Sequence, residues 1–485
     1  LLHVFGYFPG VPVFFLENDF INIMQTYEHA SQDNLHGVIR ERIDPQREVD
    51  ALQGTEGVFN FSKKDEDFRF IEIFSHHKES SIDIGTRYVR GAYLNGEAIS
   101  PEKPYETVWT TTTFFKGDIQ KEGLALLRHY LLKQICDQPA SRKPEFYYNT
   151  WGLQRELTTG QNKVHPREVL QQELIMKEIE RAAELGVDIF VLDDGWAEKF
   201  GEWTPNKEKF PDGLSPIKAK LDEHKMKLGL WFSPLGIDST SVRFKEYEQW
   251  VVKDSENNPV KAQWGFPAFD FVSDFYHVFV EDCKKMIDEG ARFFKWDAIN
   301  TIYSSLPNLH HGSSEYSSEE LRARYEYLLP IYITRAMQEL TAYEPELIIE
   351  IDLTEARRIM IGLAPLSEGK YFFMNNGASG YNDYSEFRTK SMRTIVNEYA
   401  GIIPLELFTY ATYPHDLQNK LNYNINTSLI AGHGFRGNLS LTTPEDRKKV
   451  KEKVLLSKKV LPSVADKAPL VIGNVGDSPA SYIQL

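Results

Sequence analysis

Cysteine is scarce in this chain, which has only Cys136 and Cys283 among its 485 residues. Two cysteines form no disulfide framework, and no His/Cys spacing has the pattern of a metal site. We therefore predict two free thiols buried in the core, because an unpaired Cys behaves as a small apolar side chain. Neither a metal nor a cofactor is predicted, and the pairs His76-His77 and His310-His311 are interpreted as loop residues.

Basic charge and long apolar runs are also lacking. Lys and Arg number 55 against 70 Asp and Glu, a net charge of -15, which excludes a basic nucleic-acid-binding face. No apolar run approaches the roughly 20 residues of a membrane span. The first residues, "LLHVFGYFPG", lack the features of a signal peptide and an initiator Met, so we expect a missing upstream segment. The sequence predicts a soluble protein, cytoplasmic or periplasmic, without membrane contact; the compartment stays open.

The N-terminal part, residues 1–140, has the pattern of a β-sandwich. Short runs rich in Ile, Val, Thr and aromatics alternate there with Gly, Asn and Pro. One segment, Lys121 to Ile135, spaces its leucines for a helix. The polar stretch Asp137 to Pro144 is typical of a linker.

Residues 141–465 alternate between short apolar strands and amphipathic helices, one of which is predicted from Pro166 to Gly186. Continuous apolar strands covered by helices indicate a parallel sheet. Eight such units predict an α/β fold of the (β/α)8 TIM-barrel type, followed at 466–485 by the start of a small C-terminal β segment. The predicted strands lie at 146–151, 189–194, 228–234, 292–297, 347–352, 371–376, 405–410 and 427–432.

Polar and aromatic side chains collect at the predicted strand ends. These ends carry Trp151, Asp193-Asp194, Ser233, Lys295 with Asp297, Asp352, Asn375-Asn376 and Tyr410. Active residues of a (β/α)8 barrel lie at this end of the strands, so we expect the carboxylates to share one mouth. For any single Asp, a turn residue is the competing interpretation.

Carboxylates next to Trp151, Trp196, Trp231 and Trp296 suit a sugar, whose hydroxyls bind carboxylates and whose apolar face stacks on tryptophan. Retaining cleavage of a glycoside needs two carboxyl groups about 5–5.5 Å apart, one as nucleophile and one as proton donor. Asp297 is the candidate nucleophile. Lys295, two positions earlier on the same strand, faces the same side and would keep Asp297 ionised. A structural ion pair is the alternative.

The motifs "YYNTW", "FVLDDGW", "FPDGLSPIKAKLDEHKMKLGLWFSP" and "RFFKWDAIN" resemble successive barrel strands of the α-galactosidases of glycoside hydrolase family 36. The resemblance runs from about 144 to 465. It implies that Asp297 is the catalytic nucleophile, that Lys295 binds a sugar hydroxyl, and that Asp193 and Asp194 hold the hydroxyls of a galactose-type sugar. Trp151 and Trp196 would form aromatic walls. Trp231, Asp352 and Asn376 are further candidates for substrate binding.

Three departures from the family pattern bear on the chemistry. Ser233-Pro234-Leu235 stands where the family has Glu-Pro-Glu, and "EIDLTEARR" replaces a glycine-rich loop. The family's acid/base Asp follows the sixth strand, where this chain has Asn375-Asn376, and an amide donates no catalytic proton. We predict Asp383 as the acid, with Glu386 behind it and Asp352 as the other candidate. An N-cap of the next helix is the alternative role of Asp383.

The leading hypothesis is a retaining α-galactosidase that acts on an oligosaccharide or glycoconjugate. A galactosyl-transferring transglycosylase and an α-N-acetylgalactosaminidase are alternative enzymes. A carbohydrate-binding protein on an inactive barrel is the alternative from another class. Linkage, chain length and a homo-oligomeric state stay open.

Overall fold

The computed structural model describes residues 2–5, 13–16, 19–27, 71–78, 81–88, 98–102, 104, 109–158, 164–300, 302, 306, 309–310, 316–352, 363–372, 392–393, 396, 401–414, 421–473 and 481–484. In the N-terminal part, four antiparallel strands form a sheet in the order β1-β2-β3-β6, and β4 and β5 form a separate hairpin. His76 and His77 lie in β4, so the loop assignment of this pair was wrong. The strands are β1 (Leu2–Phe5), β2 (Val13–Leu16), β3 (Asn22–Tyr27), β4 (Ile71–Lys78), β5 (Ser81–Tyr88) and β6 (Thr110–Phe115).

The helix predicted at 121–135 is confirmed. Its α-helical centre, α1 (Leu124–Tyr130), is flanked by π-helical turns at Ile119–Gly123 and Leu131–Ile135. The guanidinium of Arg128 donates hydrogen bonds to the carbonyl oxygens of residues 465, 466 and 467. The helix is thereby attached to the chain that follows the barrel.

The segment predicted as a linker is part of the folded core. It contains the short helix α2 (Pro139–Arg142), in which Ala140 is fully buried. Arg142 forms ion pairs with Glu406 and Asp466, each at 2.6 Å. The polar composition of 137–144 therefore reflects specific ion pairs and not a solvated connection.

The predicted (β/α)8 barrel is confirmed, since eight parallel strands close in the order β11-β12-β13-β14-β15-β16-β7-β8. A short antiparallel hairpin, β9-β10, follows β8 at its carboxyl end. The strands are β7 (Tyr147–Asn149), β8 (Ile189–Leu192), β9 (Ala197–Lys199), β10 (Glu202–Pro205), β11 (Lys227–Phe232), β12 (Ala291–Trp296), β13 (Ile348–Asp352), β14 (Gly369–Phe372), β15 (Phe408–Thr412) and β16 (Gly432–Arg436).

The helices that cover the barrel follow α2 in chain order. Gly186 ends α4 in the left-handed conformation, with φ +78°, as the sequence predicted. This helix starts later than predicted, because Pro166 begins a 3-10 turn (Pro166–Val169) and not the helix. The helices are α3 (Trp151–Thr158), α4 (Gln172–Leu185), α5 (Ser215–Glu223), α6 (Val242–Glu246), α7 (Phe275–Asp288), α8 (Ser318–Tyr343), α9 (Leu421–Ile430) and α10 (Pro444–Val464).

The eighth strand was misplaced. Residues 427–430 belong to α9, and β16 begins at Gly432. The strand contains few apolar residues because it closes the barrel against a large side chain. A Cβ on Gly434 would lie 2.4 Å from the ring of Tyr147, which points into the barrel. Glycine at this position leaves room for Tyr147. Because glycine has no apolar side chain, β16 lacks the continuous apolar run that predicts a buried strand.

The lower interior of the barrel is apolar and the upper interior is charged. Ala140 joins the inner cluster, which otherwise comes from the strands: Tyr147, Ile189, Val191, Phe293, Ile348 and Ala411. Parallel register places Lys295 beside Glu350, and Glu350 beside Lys370. Neighbouring residues in register face the same side, so Lys295 and Glu350 carry charge above the apolar cluster. The ammonium of Lys370 instead reaches the amino end of the barrel, where it donates to the carbonyl oxygen of Lys143 at 3.2 Å.

Two further features complete the described chain. The strands β17 (Leu470–Ile472) and β18 (Ser481–Ile483) form an antiparallel pair near the carboxyl end. Among the described residues, no helix combines the length and the hydropathy needed to cross a bilayer. Cys136 and Cys283 are both free and buried, as predicted.

Candidate active site

Asp193 directly follows β8 and is almost fully buried, with 2% of its surface exposed. Its Oδ2 accepts hydrogen bonds from Asn149 at 2.7 Å and from the ammonium of Lys295 at 3.0 Å. Its Oδ1 accepts the backbone N–H of Asp194 at 2.9 Å. Burial of a carboxylate is costly unless partners compensate it, and these three donors provide the compensation.

Lys295 and Asp297 lie two positions apart at the end of β12, and both are less than 8% exposed. Asp297 accepts one N–H on each oxygen: the indole Nε1 of Trp231 at 3.0 Å on Oδ2 and the backbone N–H of Ala298 at 2.7 Å on Oδ1. Ala298 has φ +58°, an unfavourable conformation for a residue with a Cβ. Such strain concentrates at functional sites, and here it adjoins the candidate nucleophile.

The charge of Lys295 is held by the carboxylates around it. Burial lowers its pKa, but Asp193, Asp297, Glu350 and Asp352 together raise the pKa above its ordinary value. The ammonium therefore stays protonated inside the barrel. The structure brings Asp193, Lys295 and Asp297 into one mouth, where the sequence placed them.

Asp194 is less buried than Asp193, and its Oδ2 pairs with the guanidinium of Arg167 at 3.1 Å. Burial raises the pKa of Asp194 to about 6; Arg167 opposes this shift, and the charges of Asp193 and Asp297 add to it. Arg167 was missed at the sequence level. It lies in the 3-10 turn before α4, and no periodicity or strand end marks that position.

Glu350 was also missed as an interior residue. It lies inside β13, within the strand predicted at 347–352, and is 1% exposed, but the sequence analysis assigned it no role in the site. Burial raises its pKa to about 7, while Lys295, a hydrogen bond from Thr409 and Lys370 lower it. The sequence could have predicted this position. Glu350 lies two residues before Asp352 in "EIDL", and strand residues two apart face the same side.

Asp352 ends β13 and is 1% exposed. Trp296 pairs in register with Ile351, so Asp297 and Asp352 follow side by side on adjacent strands. Adjacent strands lie about 4.8 Å apart. Asp352 therefore stands beside the candidate nucleophile and not across the mouth from it.

The tryptophans differ in what they present. Trp151 is the first residue of α3 and is partly exposed. It was predicted at the end of the first barrel strand, but β7 already ends at Asn149. Trp196 is fully buried, and its Nε1 donates to the carbonyl oxygen of Trp231 at 2.8 Å. Trp196 thus supports the segment that carries Trp231, and Trp231 supplies the direct contact with Asp297.

The other predicted positions contribute less. Ser233 is buried just after β11, and Tyr410 is buried in the middle of β15. His310 lies in a turn, as predicted, and is fully buried there with its Nδ1 2.8 Å from Oδ1 of Asp270. Asn375, Asn376, Asp383 and Glu386 lie outside the described residues.

A closed (β/α)8 barrel with several carboxylates and a lysine at the carboxyl ends of its strands has the architecture of a glycoside hydrolase. Residues 170–365 match the family model described as Melibiase. Over this region the chain is similar to the α-galactosidases of glycoside hydrolase family 36.

Relatives of known activity and structure agree with this. Alpha-galactosidase 2 of Pediococcus pentosaceus is 25% identical over 285 residues, 55% of this chain and 35% of its own length. The alpha-galactosidase of Escherichia coli is 33% identical over 179 residues, 35% of this chain and 23% of its own. The GH36 alpha-galactosidase AgaA of Geobacillus stearothermophilus has a similar structure, with a TM-score of 0.67 at 14% identity, over 100% of this chain and 61% of that one. The chain thus spans 35% and 23% of the length of these two curated relatives and about three fifths of the solved structure.

Proposed function

We propose that the protein is a retaining α-galactosidase that removes α-galactosyl units from an oligosaccharide or glycoconjugate. The observation that carries the proposal is the grouping of Asp193, Lys295 and Asp297 at the carboxyl end of one closed barrel, joined by the 3.0 Å bond between Lys295 and Asp193. The curated relatives are named as α-galactosidases, and AgaA has been solved with stachyose bound.

In this mechanism the carboxylate of Asp297 attacks the anomeric carbon while the bond to the leaving-group oxygen breaks and the acid protonates that oxygen. Water, deprotonated by the same acid/base group, then hydrolyses the glycosyl-enzyme ester and frees Asp297. The N–H groups of Trp231 and Ala298 orient the two oxygens before attack. The ammonium of Lys295 favours the ionised form of the nearby carboxylates and donates to a sugar hydroxyl. Asp193 and Asp194 accept hydrogen bonds from other hydroxyls of the ring; we call this pair the clamp.

The function is tested by incubating the protein with nitrophenyl α-galactoside and following the first product by NMR. We expect nitrophenol release and α-galactose as the first anomer, because two displacements restore the configuration. The matched nitrophenyl α-glucoside and nitrophenyl α-N-acetylgalactosaminide serve as comparison substrates. Faster cleavage of either would replace galactose as the substrate, and binding without turnover on all three would favour the non-catalytic alternative.

Asp383 is our candidate for the proton donor. We expect Asp383→Ala to slow a natural α-galactoside at least tenfold more than the nitrophenyl substrate, because nitrophenol leaves without protonation. Azide should restore part of the rate by replacing the missing base. Asp352→Ala is the comparison variant; leaving-group dependence and azide rescue there, and not in Asp383→Ala, would transfer the role to Asp352.

The clamp makes a prediction about pH. An ionised carboxylate is the better acceptor, so galactose should inhibit more strongly as pH rises through about 6, the pKa of Asp194. Asp194→Asn should remove this change and weaken inhibition at pH 8 by about tenfold or more, since a charged hydrogen bond contributes about 1.5–3 kcal/mol. The measurement is the inhibition constant of galactose between pH 4.5 and 8.

Asp212→Asn, at an exposed position before α5, is the matched control and should behave as wild type. Glu350 also titrates near neutral pH, but it is present in all three proteins, so its effect cancels in the comparison. An unchanged pH profile in Asp194→Asn would remove Asp194 from the clamp.

A further inference from the structure

Trp264 is a large apolar residue that stays exposed near the barrel mouth, with 49% of its surface accessible to solvent. It lies in the chain between β11 and α7, at the tip of a tight turn. The N–H of Gly265 donates to the carbonyl oxygen of Ala262 at 3.2 Å and closes this turn, and Lys261 pairs with Pro267 beneath it. The sequence analysis named four tryptophans near the strand ends, and Trp264 was not among them.

The backbone of Trp264 is in the left-handed conformation, with φ +62°. This conformation is unfavourable for a residue with a Cβ, and it is especially uncommon for a bulky one. Glycine or asparagine fits such a turn at lower cost, so the turn itself does not require tryptophan. Unfavourable backbone conformations cluster at functional sites, and the observation therefore points to a task for the indole ring.

The indole of Trp264 packs on the aromatic side chains that support the candidate nucleophile. Its ring centroid lies 6.0 Å from that of Trp231 and 5.9 Å from that of Phe200. Phe266, two positions later in the chain, stacks on Phe200 at 4.3 Å and thereby holds the turn against this wall. Trp231 donates its Nε1–H to Oδ2 of Asp297 at 3.0 Å. The exposed indole is thus one ring away from the side chain that contacts the nucleophile.

The difference in exposure places Trp264 at the rim of the mouth. Trp231 is 2% exposed and Asp297 is 7% exposed, whereas Trp264, packed on Trp231, is 49% exposed. An enzyme that removes terminal galactosyl units binds the galactosyl ring at the buried end of its site, beside the carboxylates. The rest of the substrate then extends from the nucleophile toward solvent. Trp264 lies on the wall that leads from the nucleophile to solvent.

A sugar ring is a suitable ligand for this rim position. One face of a hexose ring consists mainly of C–H groups, and an exposed indole offers an apolar surface of similar size. Contact between the two removes apolar surface of both from water, and it requires no charge on the ligand. The leaving group of an oligosaccharide substrate supplies such a ring directly after the scissile bond.

We propose that Trp264 binds the first sugar residue of the leaving group by stacking on its apolar face. The indole would then make oligosaccharides better substrates than galactosides of small alcohols. This inference rests on the proposed α-galactosidase activity, and it adds a sugar-binding position outside the part of the site that holds the galactosyl ring.

The test compares two substrates whose leaving groups are both alcohols but differ in size. One is the disaccharide in which α-galactose is attached to the 6-hydroxyl of glucose, and the other is methyl α-galactoside, which has no second ring. Trp264→Asn should lower kcat/KM for the disaccharide by about tenfold and for methyl α-galactoside by less than about twofold, since only the disaccharide loses a contact. Asparagine tolerates the left-handed conformation, so we expect this variant to fold.

Three further measurements separate stacking from a structural role. Trp264→Phe keeps an aromatic face and should stay within about threefold of wild type on the disaccharide. Inhibition by free galactose should be the same in Trp264→Asn and in wild type, because galactose has no leaving group. Tyr343→Asn is the matched control: Tyr343 is 50% exposed at the end of α8, which leads to the amino end of β13, and both substrates should stay within about twofold of wild type.

The outcomes distinguish this inference from the proposed function. Equal losses on the two substrates in Trp264→Asn would mean that the indole acts on the galactosyl ring or through Trp231, and no loss on either would mean that the leaving group binds elsewhere. Each of these results overturns the inference and leaves the proposed function in place. If the wild-type protein cleaves neither substrate nor nitrophenyl α-galactoside, the proposed function fails and the inference fails with it.

Discussion

Asp297→Asn should lower kcat on nitrophenyl α-galactoside by about 10³-fold or more, which corresponds to ~4 kcal/mol of activation free energy. An amide does not form the glycosyl-enzyme ester, so the covalent route is lost. The shape of the side chain is kept, but its NH₂ group must face either the indole N–H of Trp231 or the N–H of Ala298. One of these two hydrogen bonds is therefore lost, and a small change in stability accompanies the large change in rate.

Trapping provides the direct measurement. A fluorinated galactosyl donor with a good leaving group should label the wild-type protein on the peptide containing "KWD", residues 295–297. Asp222→Asn, at an exposed position on α5, is the control and should retain wild-type rate and labelling. Label on another carboxylate would contradict the assignment of Asp297 and leave the two-step mechanism intact.

Lys295→Met should destabilise the protein by about 3–5 kcal/mol, because it leaves buried carboxylates without their cation. Asp193 loses its 3.0 Å partner, and Glu350 loses a charge that lowers its pKa. The pKa of Glu350, already raised to about 7, should rise further. Because the native state then binds a proton that the unfolded state releases near pH 4.5, stability should fall as pH rises across this interval, and further in the variant than in wild type.

The measurement is the free energy of unfolding in denaturant between pH 5 and 9. Lys285→Met, at an exposed position on α7, is the control and should change stability by less than about 0.5 kcal/mol. In a double-mutant cycle, the variant carrying both Asp193→Asn and Lys295→Met should lose less free energy of unfolding than the two single variants lose together. Additive costs would show that the two charges do not stabilise each other.

Much of the fold is visible in local sequence patterns. The strands β8, β11, β12 and β13 were predicted to within two residues, because each is a continuous apolar run between turn residues. The last strand was misplaced, since glycines at 432 and 434 replace the apolar side chains that mark a buried strand. The 137–144 segment was read as a linker, because its partners Glu406 and Asp466 are distant in the chain.

The sequence by itself determined the barrel, the carboxylates at its strand ends and the pairing of Lys295 with Asp297 on one strand face, because these depend on periodicity and spacing. Only the tertiary structure decided which side chains contact these carboxylates. The bond from Trp231 to Asp297, the guanidinium of Arg167 beside Asp194, and Glu350 between two buried lysines all join residues from different elements. Burial and long-range charge set the pKa of Asp194 and of Glu350. Burial and long-range charge both depend on residues that are distant in the chain, so the adjacent residues do not predict either pKa.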